Sequence, residues 1–433
     1  MVLRRSLGLR HATAMVVGII IGSSIFAQPS EITRLVPQSR LAMLVWLAAG
    51  LLTLCGALVC AELSRVFPET GGVYVFLHRM FSPAIAFLWG WAMFWSMHSG
   101  IIAAIAVILA RYASFFVPLP AWGVRAVAVL AVALLSWVNY LGVRPAGAVQ
   151  VALTSAKVLA IAALVLLLFL FGGPAHSAMP PTGLTHAPSL SEIGLAIAAG
   201  LFAFGGWHMV TYSAGETIAP EHTVPQALVA GAIIVTACYV LLNAGYAYVL
   251  PAGDIAQSTR VAAEAAERAL GTRAAAAISA LVIISALGSL NGIILAGPRV
   301  YFAMARDGLA FGRLAAVHSR RQTPYVAIAA QAVMASILVL TNSYRQLFTR
   351  VVYTEWIFFG LLAAGLVAGR VRTSAPARLV AGIFALAAFA IAANQAAADR
   401  QGATWGLGLV LLGLAVYILW RQRRANPSSH QMR

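Results

Sequence analysis

Gly18-Ile19-Ile20-Ile21-Gly22-Ser23-Ser24-Ile25-Phe26 decides how the rest of the chain is read. It lies near the middle of an apolar segment running from Ala12 to about Val36. That segment is long enough to cross a bilayer, for which about 20 apolar residues suffice. Gly22-Ser23-Ser24 is nevertheless a poor centre for an unbroken helix. Glycine costs helix stability, and serine hydroxyls compete for backbone hydrogen bonds. An opened backbone survives in hydrocarbon only where it is buried in protein or lines a polar cavity. Taken alone, the stretch fits either a small-residue contact that admits a neighbouring helix or a true helix break. A second interrupted stretch, Phe204-Gly205-Gly206-Trp207-His208, stands inside another apolar segment. The pair favours two breaks.

Composition sets the class. Of 433 residues, 61% are hydrophobic and only 9% charged, whereas about a quarter of a soluble domain is charged. The chain reads as one integral membrane domain over 1–433, in contact with the lipid bilayer along its length. Arg4, Arg5 and Arg10 precede an apolar segment with no small-residue cleavage site, so the first span reads as uncleaved. The net charge of +17 would suggest nucleic acid in a soluble protein. Here the positive-inside rule accounts for it, and no nucleic-acid partner is expected. The arginine bias agrees with both termini in the cytoplasm, although Arg260, Arg268 and Arg273 share one external loop. Cys55, Cys60 and Cys238 all fall in apolar spans, so there is no disulfide framework, no metal-ligand spacing and no cofactor motif.

Apolar periodicity predicts an all-α integral membrane protein with twelve transmembrane helices, at about 12–36, 41–66, 82–110, 122–141, 148–171, 192–218, 226–250, 274–304, 324–341, 350–370, 377–395 and 404–420. The connection from Gly172 to Ser191 reads as an irregular external loop. That from Pro251 to Arg273 contains a helix-forming run, Val261 to Arg268, whose charges share one face, as in a short helix over the outer mouth. After the second span, Pro68 ends the helix and Gly71-Gly72 permits a tight turn. Glu62, at the inner membrane edge, is expected to pair with an arginine or cap a neighbouring helix.

Gly22-Ser23-Ser24-Ile25-Phe26, followed by Ala61-Glu62-Leu63, Pro68 and Gly71-Gly72, resembles the amino acid–polyamine–organocation transporters. Gly200-Leu201-Phe202-Ala203-Phe204-Gly205-Gly206-Trp207 resembles the sixth span of their L-type amino acid transporter branch. Ser285-Ala286-Leu287-Gly288-Ser289-Leu290-Asn291-Gly292, Gly297-Pro298-Arg299 and Ala305-Arg306-Asp307-Gly308 resemble its eighth span and following loop. The likeness runs from about Leu7 to Arg372. It implies a LeuT-type 5+5 inverted repeat with helices 1 and 6 broken. Repeat one would be about 12–171, repeat two about 192–370, with two additional spans at about 377–420. The residues agree with this independently. Inverted-repeat transporters carry discontinuous helices at matching positions, and the two interrupted spans stand five apart.

An amino acid needs partners for a carboxylate and an ammonium. Free N–H groups after a break, at the positive end of a half-helix dipole, suit the carboxylate. That role falls to the backbone of Gly22, Ser23 and Ser24, with either serine hydroxyl as a further donor. Carbonyls of Ile20, Phe202, Ala203 and Gly205 suit the ammonium, by resemblance as well as by physics, with Gly206 completing the second break. The family usually has glycine where Ser24 stands; the extra side chain either narrows the cradle or adds a bond. Phe202 looks like the aromatic gate of the L-type branch, against the plainer reading of a core or lipid-facing ring. Trp207 is a candidate for the side-chain pocket. His208 stands where relatives often have Asn, and is either a substrate contact or a hydrogen-bonded helper.

Lys157, the one lysine among 29 basic side chains, lies well inside the fifth span. A charge there costs about 2.5–3.5 kcal/mol even on lenient insertion scales. The resemblance places a span-5 lysine beside the unwound first span, where sodium-driven relatives of the wider fold bind a cation. Its ammonium is therefore expected to replace that sodium and hold the first break. Glu355-Trp356 resembles a pocket-lining pair whose first member is usually Ser or Asn; the glutamate is a departure, expected either as an interfacial charge near Arg350 or as an invitation to a basic substrate. His98 reads as a core residue rather than a proton relay.

Together these point to a secondary transporter of neutral amino acids in a bacterial cytoplasmic membrane, working by alternating access, as a sodium-independent exchanger or proton-linked carrier. The spacing alone says only a small polar solute at the midplane. The alternatives are a proton-coupled carrier of basic amino acids or polyamines, and a transporter-like ligand sensor. An intramembrane enzyme lacks the metal cluster or base–nucleophile pair it would need. L-type relatives bond a partner subunit through a cysteine between spans 3 and 4. Arg111 to Trp122 has none, so no disulfide-linked heavy subunit is expected.

Overall fold

The computed structural model describes residues 5–174, 187–258, 260–271, 273–341 and 344–425. Among them the regular structure is helical, and extended pairing is limited to one parallel bridge between Leu7 and Thr217. Helix α1 (Leu9–Ile20) stops in the middle of the expected first span, which resumes as a short 3-10 turn at Ser24–Phe26 and then α2 (Gln28–Leu35). Next comes α3 (Ser39–Val66), uninterrupted over 28 residues. Gly71 and Gly72, at φ +122° and +49°, take angles that side chains rarely adopt and turn the chain into α4 (Val73–Met80). Helix α5 (Pro83–Ala92) passes through a π turn into α6 (His98–Ala113), followed by α7 (Ala121–Leu141) and α8 (Val143–Phe171).

The second half repeats the interruption. Helix α9 (Leu190–Ala203) opens with a Ser189–Glu192 capping box, stops, and continues as a 3-10 helix at Trp207–Glu216. There follow α10 (Pro220–Val249), α11 (Ala252–Gln257), α12 (Val261–Leu270), α13 (Ala274–Ala296) and α14 (Pro298–Arg306). The chain closes with α15 (Tyr325–Thr341), α16 (Tyr344–Val367), α17 (Ala375–Ala398) and α18 (Arg400–Ala425). The expected loop helix exists as α12, which buries Val261, Ala262 and Ala265 and packs on α13 and α8. The expected irregular loop at Gly172 to Ser191 falls largely on 175–186, outside the described residues.

Among the described residues nine helical stretches are long and apolar enough to cross a membrane. The three further spans expected from the sequence correspond to shorter apolar helices, Leu9–Ile20, Tyr325–Thr341 and Thr354–Val367. The first is short because the break divides it. On α3, Leu44, Leu47, Leu51 and Leu58 share an exposed face while Val45, Trp46 and Ala49 are buried. A helix apolar all round is one whose outer face meets lipid. Helix α1 lies in the middle of the bundle, against α8, α10 and α13. Glu62 pairs with Arg65 one turn away and receives the Thr373 hydroxyl at 3.3 Å.

Candidate functional site

The first break is a backbone event. Ile21 leaves the helix at φ −70° and ψ 83°, and the Gly22 N–H turns back to the Ile20 carbonyl at 2.7 Å. This is the geometry of an inverse γ-turn. The N–H groups of Ser23, Ser24 and Ile25 bond no backbone carbonyl among the described residues, and the Ser23 hydroxyl is buried without a partner. Gly22, expected to offer its N–H to a carboxylate, spends it inside the turn. The free donors are those of the three residues that follow.

The second break uses glycine. The Gly205 N–H bonds the Phe202 carbonyl at 3.0 Å, and Gly206 sits at φ +94°, in the left-handed region. A side chain at Gly206 would also run into Ile19 of α1. The Gly205 carbonyl accepts no hydrogen bond among the described residues. Ala203 differs, because its carbonyl takes the Tyr239 hydroxyl at 3.0 Å. That same hydroxyl lies 2.9 Å from the Ile20 carbonyl of the first break. A phenol carries one hydrogen and serves one acceptor at a time, so one of the two carbonyls always keeps a lone pair.

Both breaks line a single cavity of about 40 Å³. Ile20, Gly22, Ser23 and Ser24 come from one side and Phe202, Gly205, Gly206 and Trp207 from the other. Ile101, Ile105 and Ile108 of α6 continue the wall, with Glu355, Trp356 and Phe359 of α16. Glu355 is therefore a buried wall residue and not an interfacial charge; the side chain of Arg350, its expected neighbour, lies outside the described residues. His208 stands behind the wall. It is fully buried, edge-on to Tyr212 and Phe359 at ring separations of 5.4 and 4.7 Å, with Nε2 3.7 Å from a Glu355 oxygen. His98 is also buried, with Nδ1 3.4 Å from Gln331 Oε1 and Nε2 3.3 Å from the Met209 sulfur.

Lys157 reaches the first break from α8. Its ammonium donates to the carbonyls of Gly18 (2.9 Å), Ile21 (2.6 Å) and Ser285 (2.8 Å), matching the three donors of an ammonium. Ser285 and Ser289 of α13 add hydroxyls to the Gly18 and Ile21 carbonyls and reach that of Gly22 as well. Ser285 donates toward Ile21 and Gly22, and Ser289 toward Gly18 and Ile21, at 3.0–3.1 Å. A cation at the carbonyl end of α1 also meets the negative end of its dipole. No carboxylate pairs with Lys157 among the described residues; backbone carbonyl oxygens solvate its ammonium instead.

Sequence reasoning missed two features. Tyr239 looks like any aromatic in an apolar span, and nothing local signals that it joins the breaks. Glu216, at the end of the second broken helix, forms a fully buried bidentate pair with Arg299 of α14, at 2.8 and 3.0 Å. Its backbone carbonyl receives the N–H groups of Ser6 and Leu7, and Ile218 N–H bonds Leu7. The N-terminal segment is thereby stitched under the second break. Among the described residues no group of acidic, histidine and cysteine side chains is arranged to hold a metal ion.

Residues 7–419 match the family model described as Amino acid permease. The chain is 31% identical to the serine/threonine exchanger SteT of Bacillus subtilis over 98% of each chain. It is 30% identical to human large neutral amino acids transporter small subunit 2, over 84% of this chain and 69% of that one. Identity to human b(0,+)-type amino acid transporter 1 is also 30%, over 85% of this chain and 76% of the other.

Proposed function

The chain belongs to the amino acid permease family and is a multi-pass membrane transporter of amino acids, not an enzyme; on that premise we propose that it exchanges neutral amino acids by alternating access, without sodium. The observation that carries this reading is the shared cavity, which has a set of free N–H groups on one wall and an unbonded carbonyl on the other. In a state with this cavity widened, a zwitterion would lie between them, its carboxylate at Ser23, Ser24 and Ile25 and its ammonium at Gly205 and whichever carbonyl Tyr239 releases. Phe202 covers the substrate and Trp207 and Trp356 receive its side chain.

The proposed architecture is twelve spans with two inverted five-helix repeats, about 12–171 and 192–370, and two spans beyond. Packing partners five spans apart support it: α3 lies along α10, α6 along α13, and α1 against the second broken helix. Lys157 holds the carbonyls that a coupling sodium would need, which supports sodium-independent exchange, or proton linkage, over sodium symport. Rigid helices then rock about the breaks. The stitched N-terminus and the Glu216–Arg299 pair sit at the far end of the second broken helix, proposed to be the cytoplasmic end, with both chain termini on that side of a bacterial inner membrane. The three cysteines are free and lie in apolar helices, so we propose function without a disulfide-linked subunit.

Counterflow of labelled leucine or serine into amino-acid-loaded proteoliposomes tests the reading. Exchange that requires internal amino acid and ignores sodium is the expected result. Ligand binding with no counterflow would instead identify a sensor. In a competition panel of alanine, leucine, arginine and putrescine, dominance of arginine or putrescine would overturn the preference for neutral substrates.

A further inference from the structure

Glu355 is the one ionisable side chain among the described residues lining the cavity. Its side chain is 9% exposed, and that exposure opens onto the cavity. No hydrogen-bond donor reaches its carboxyl among the described residues. His208 Nε2, at 3.7 Å, is beyond hydrogen-bond range, and both nitrogens of that ring are themselves unpartnered. Lys157 does not serve it, since its ammonium is spent on Gly18, Ile21 and Ser285. The remaining wall beside Glu355 is apolar: Trp356, Phe359, Ile101 and Ile105. A buried carboxyl without a donor is costly, and the next molecule able to supply one is the cavity's occupant.

We infer that the Glu355 carboxyl accepts a hydrogen bond from the side chain of the transported amino acid, so that the pocket favours side chains bearing a hydroxyl or an ammonium over apolar isosteres. The inference rests on the transport reading above. The two breaks take the ends common to all amino acids, and α16 contributes the group that tells one side chain from another. A site with a buried acceptor rejects the analogue lacking the donor more strongly than an apolar wall rejects an added hydroxyl. Donor class is therefore the property under selection. Hydroxyl and ammonium are two sources of the same contact, and a panel separates them; the hydroxyl agrees with the neutral-substrate reading, whereas an ammonium preference would move the substrate class to basic amino acids.

The test is competition against labelled substrate uptake in proteoliposomes containing the full chain, using three isosteric pairs: serine and 2-aminobutyrate, threonine and valine, ornithine and norleucine. The readout is the potency ratio within each pair, which does not depend on how much transport a variant retains. Wild type is expected to favour the donor member about tenfold or more in at least one pair. Glu355→Met should bring every ratio to within about twofold. Glu355→Gln, which keeps an acceptor oxygen without charge, should preserve a hydroxyl preference and erase an ammonium preference. Ratios near one in wild type overturn the inference, with no variant needed. So do ratios unchanged in Glu355→Met, whether or not total uptake falls, because a carboxyl on the common ammonium would weaken all six alike. Absence of uptake for all six in wild type would sink the transport reading itself; uptake without preference sinks only this inference.

Discussion

The two breaks solve one problem by different means. At the first, the exposed carbonyls of Gly18, Ile21 and Gly22 are met by side chains from elsewhere: the Lys157 ammonium and the Ser285 and Ser289 hydroxyls. At the second, no charged side chain hydrogen-bonds the carbonyls among the described residues. The chain closes on itself through Gly205 and the left-handed Gly206, and packs between rings, with Phe204 4.8 Å from Tyr239 and 6.5 Å from Trp46. The ionic support of the second broken helix is displaced to its far end, at Glu216 and Arg299. An opened backbone in a low dielectric needs either imported polar partners or a tight turn that satisfies it locally. The first break is electrostatic and tied to α8 and α13. The second is mainly conformational, tied to α1 by shape and to α10 by ring packing and the Tyr239 hydroxyl.

That contrast can be broken or sharpened by four substitutions, in falling order of effect. Lys157→Met, similar in length but without donors, removes three charge-assisted hydrogen bonds, to the carbonyls of Gly18, Ile21 and Ser285, at about 1.5–3 kcal/mol each. Counterflow should fall about 100-fold or more and the melting temperature in detergent should drop. Near-normal exchange in this variant would end the electrostatic account of the first break. Gly206→Ala forces a side chain into a left-handed conformation, about 1–2 kcal/mol, and into Ile19. About a tenfold loss of exchange is expected, with less thermal destabilisation than in Lys157→Met. If the two variants were equally unstable, the second break would not be merely conformational.

Tyr239→Phe keeps the ring packing and removes the hydroxyl shared by Ile20 and Ala203. The hydrogen bond that holds the two breaks together, about 0.5–1.5 kcal/mol, is lost; because it positions both carbonyls for the ammonium, substrate affinity should weaken about three- to tenfold even though the carbonyls are freed. An unchanged affinity would mean that the two breaks act independently. Ser289→Ala should have the smallest effect, within about threefold in counterflow, because Lys157 still holds both Gly18 and Ile21. An effect as large as that of Lys157→Met would move the weight of the first break from the ammonium to α13.

Gly22-Ser23-Ser24 and Gly205-Gly206 announce their interruptions locally, since glycine and serine disfavour helix wherever they stand. Lys157 was legible for the opposite reason: one ammonium in an apolar span is an energetic anomaly that demands partners. Glu355 was legible, by resemblance, as a departure at a pocket-lining position, but the choice between a wall residue and an interfacial charge depended on how α16 packs. His208 was open between a substrate contact and a hydrogen-bonded helper; it stands behind the cavity wall, its ring turned among Tyr212 and Phe359.

The sequence by itself determined the membrane class, the helical character, the two points where helices fail, and the need for something to receive the Lys157 charge. These are consequences of single residues in hydrocarbon, where each unsatisfied group is expensive whatever its neighbours. Only the tertiary structure decided which groups meet. Tyr239 bonds acceptors 36 and 219 residues away, and Glu216 finds Arg299 across 83. Such pairings arise when whole helices pack, and a residue's local sequence carries no record of the face it will meet.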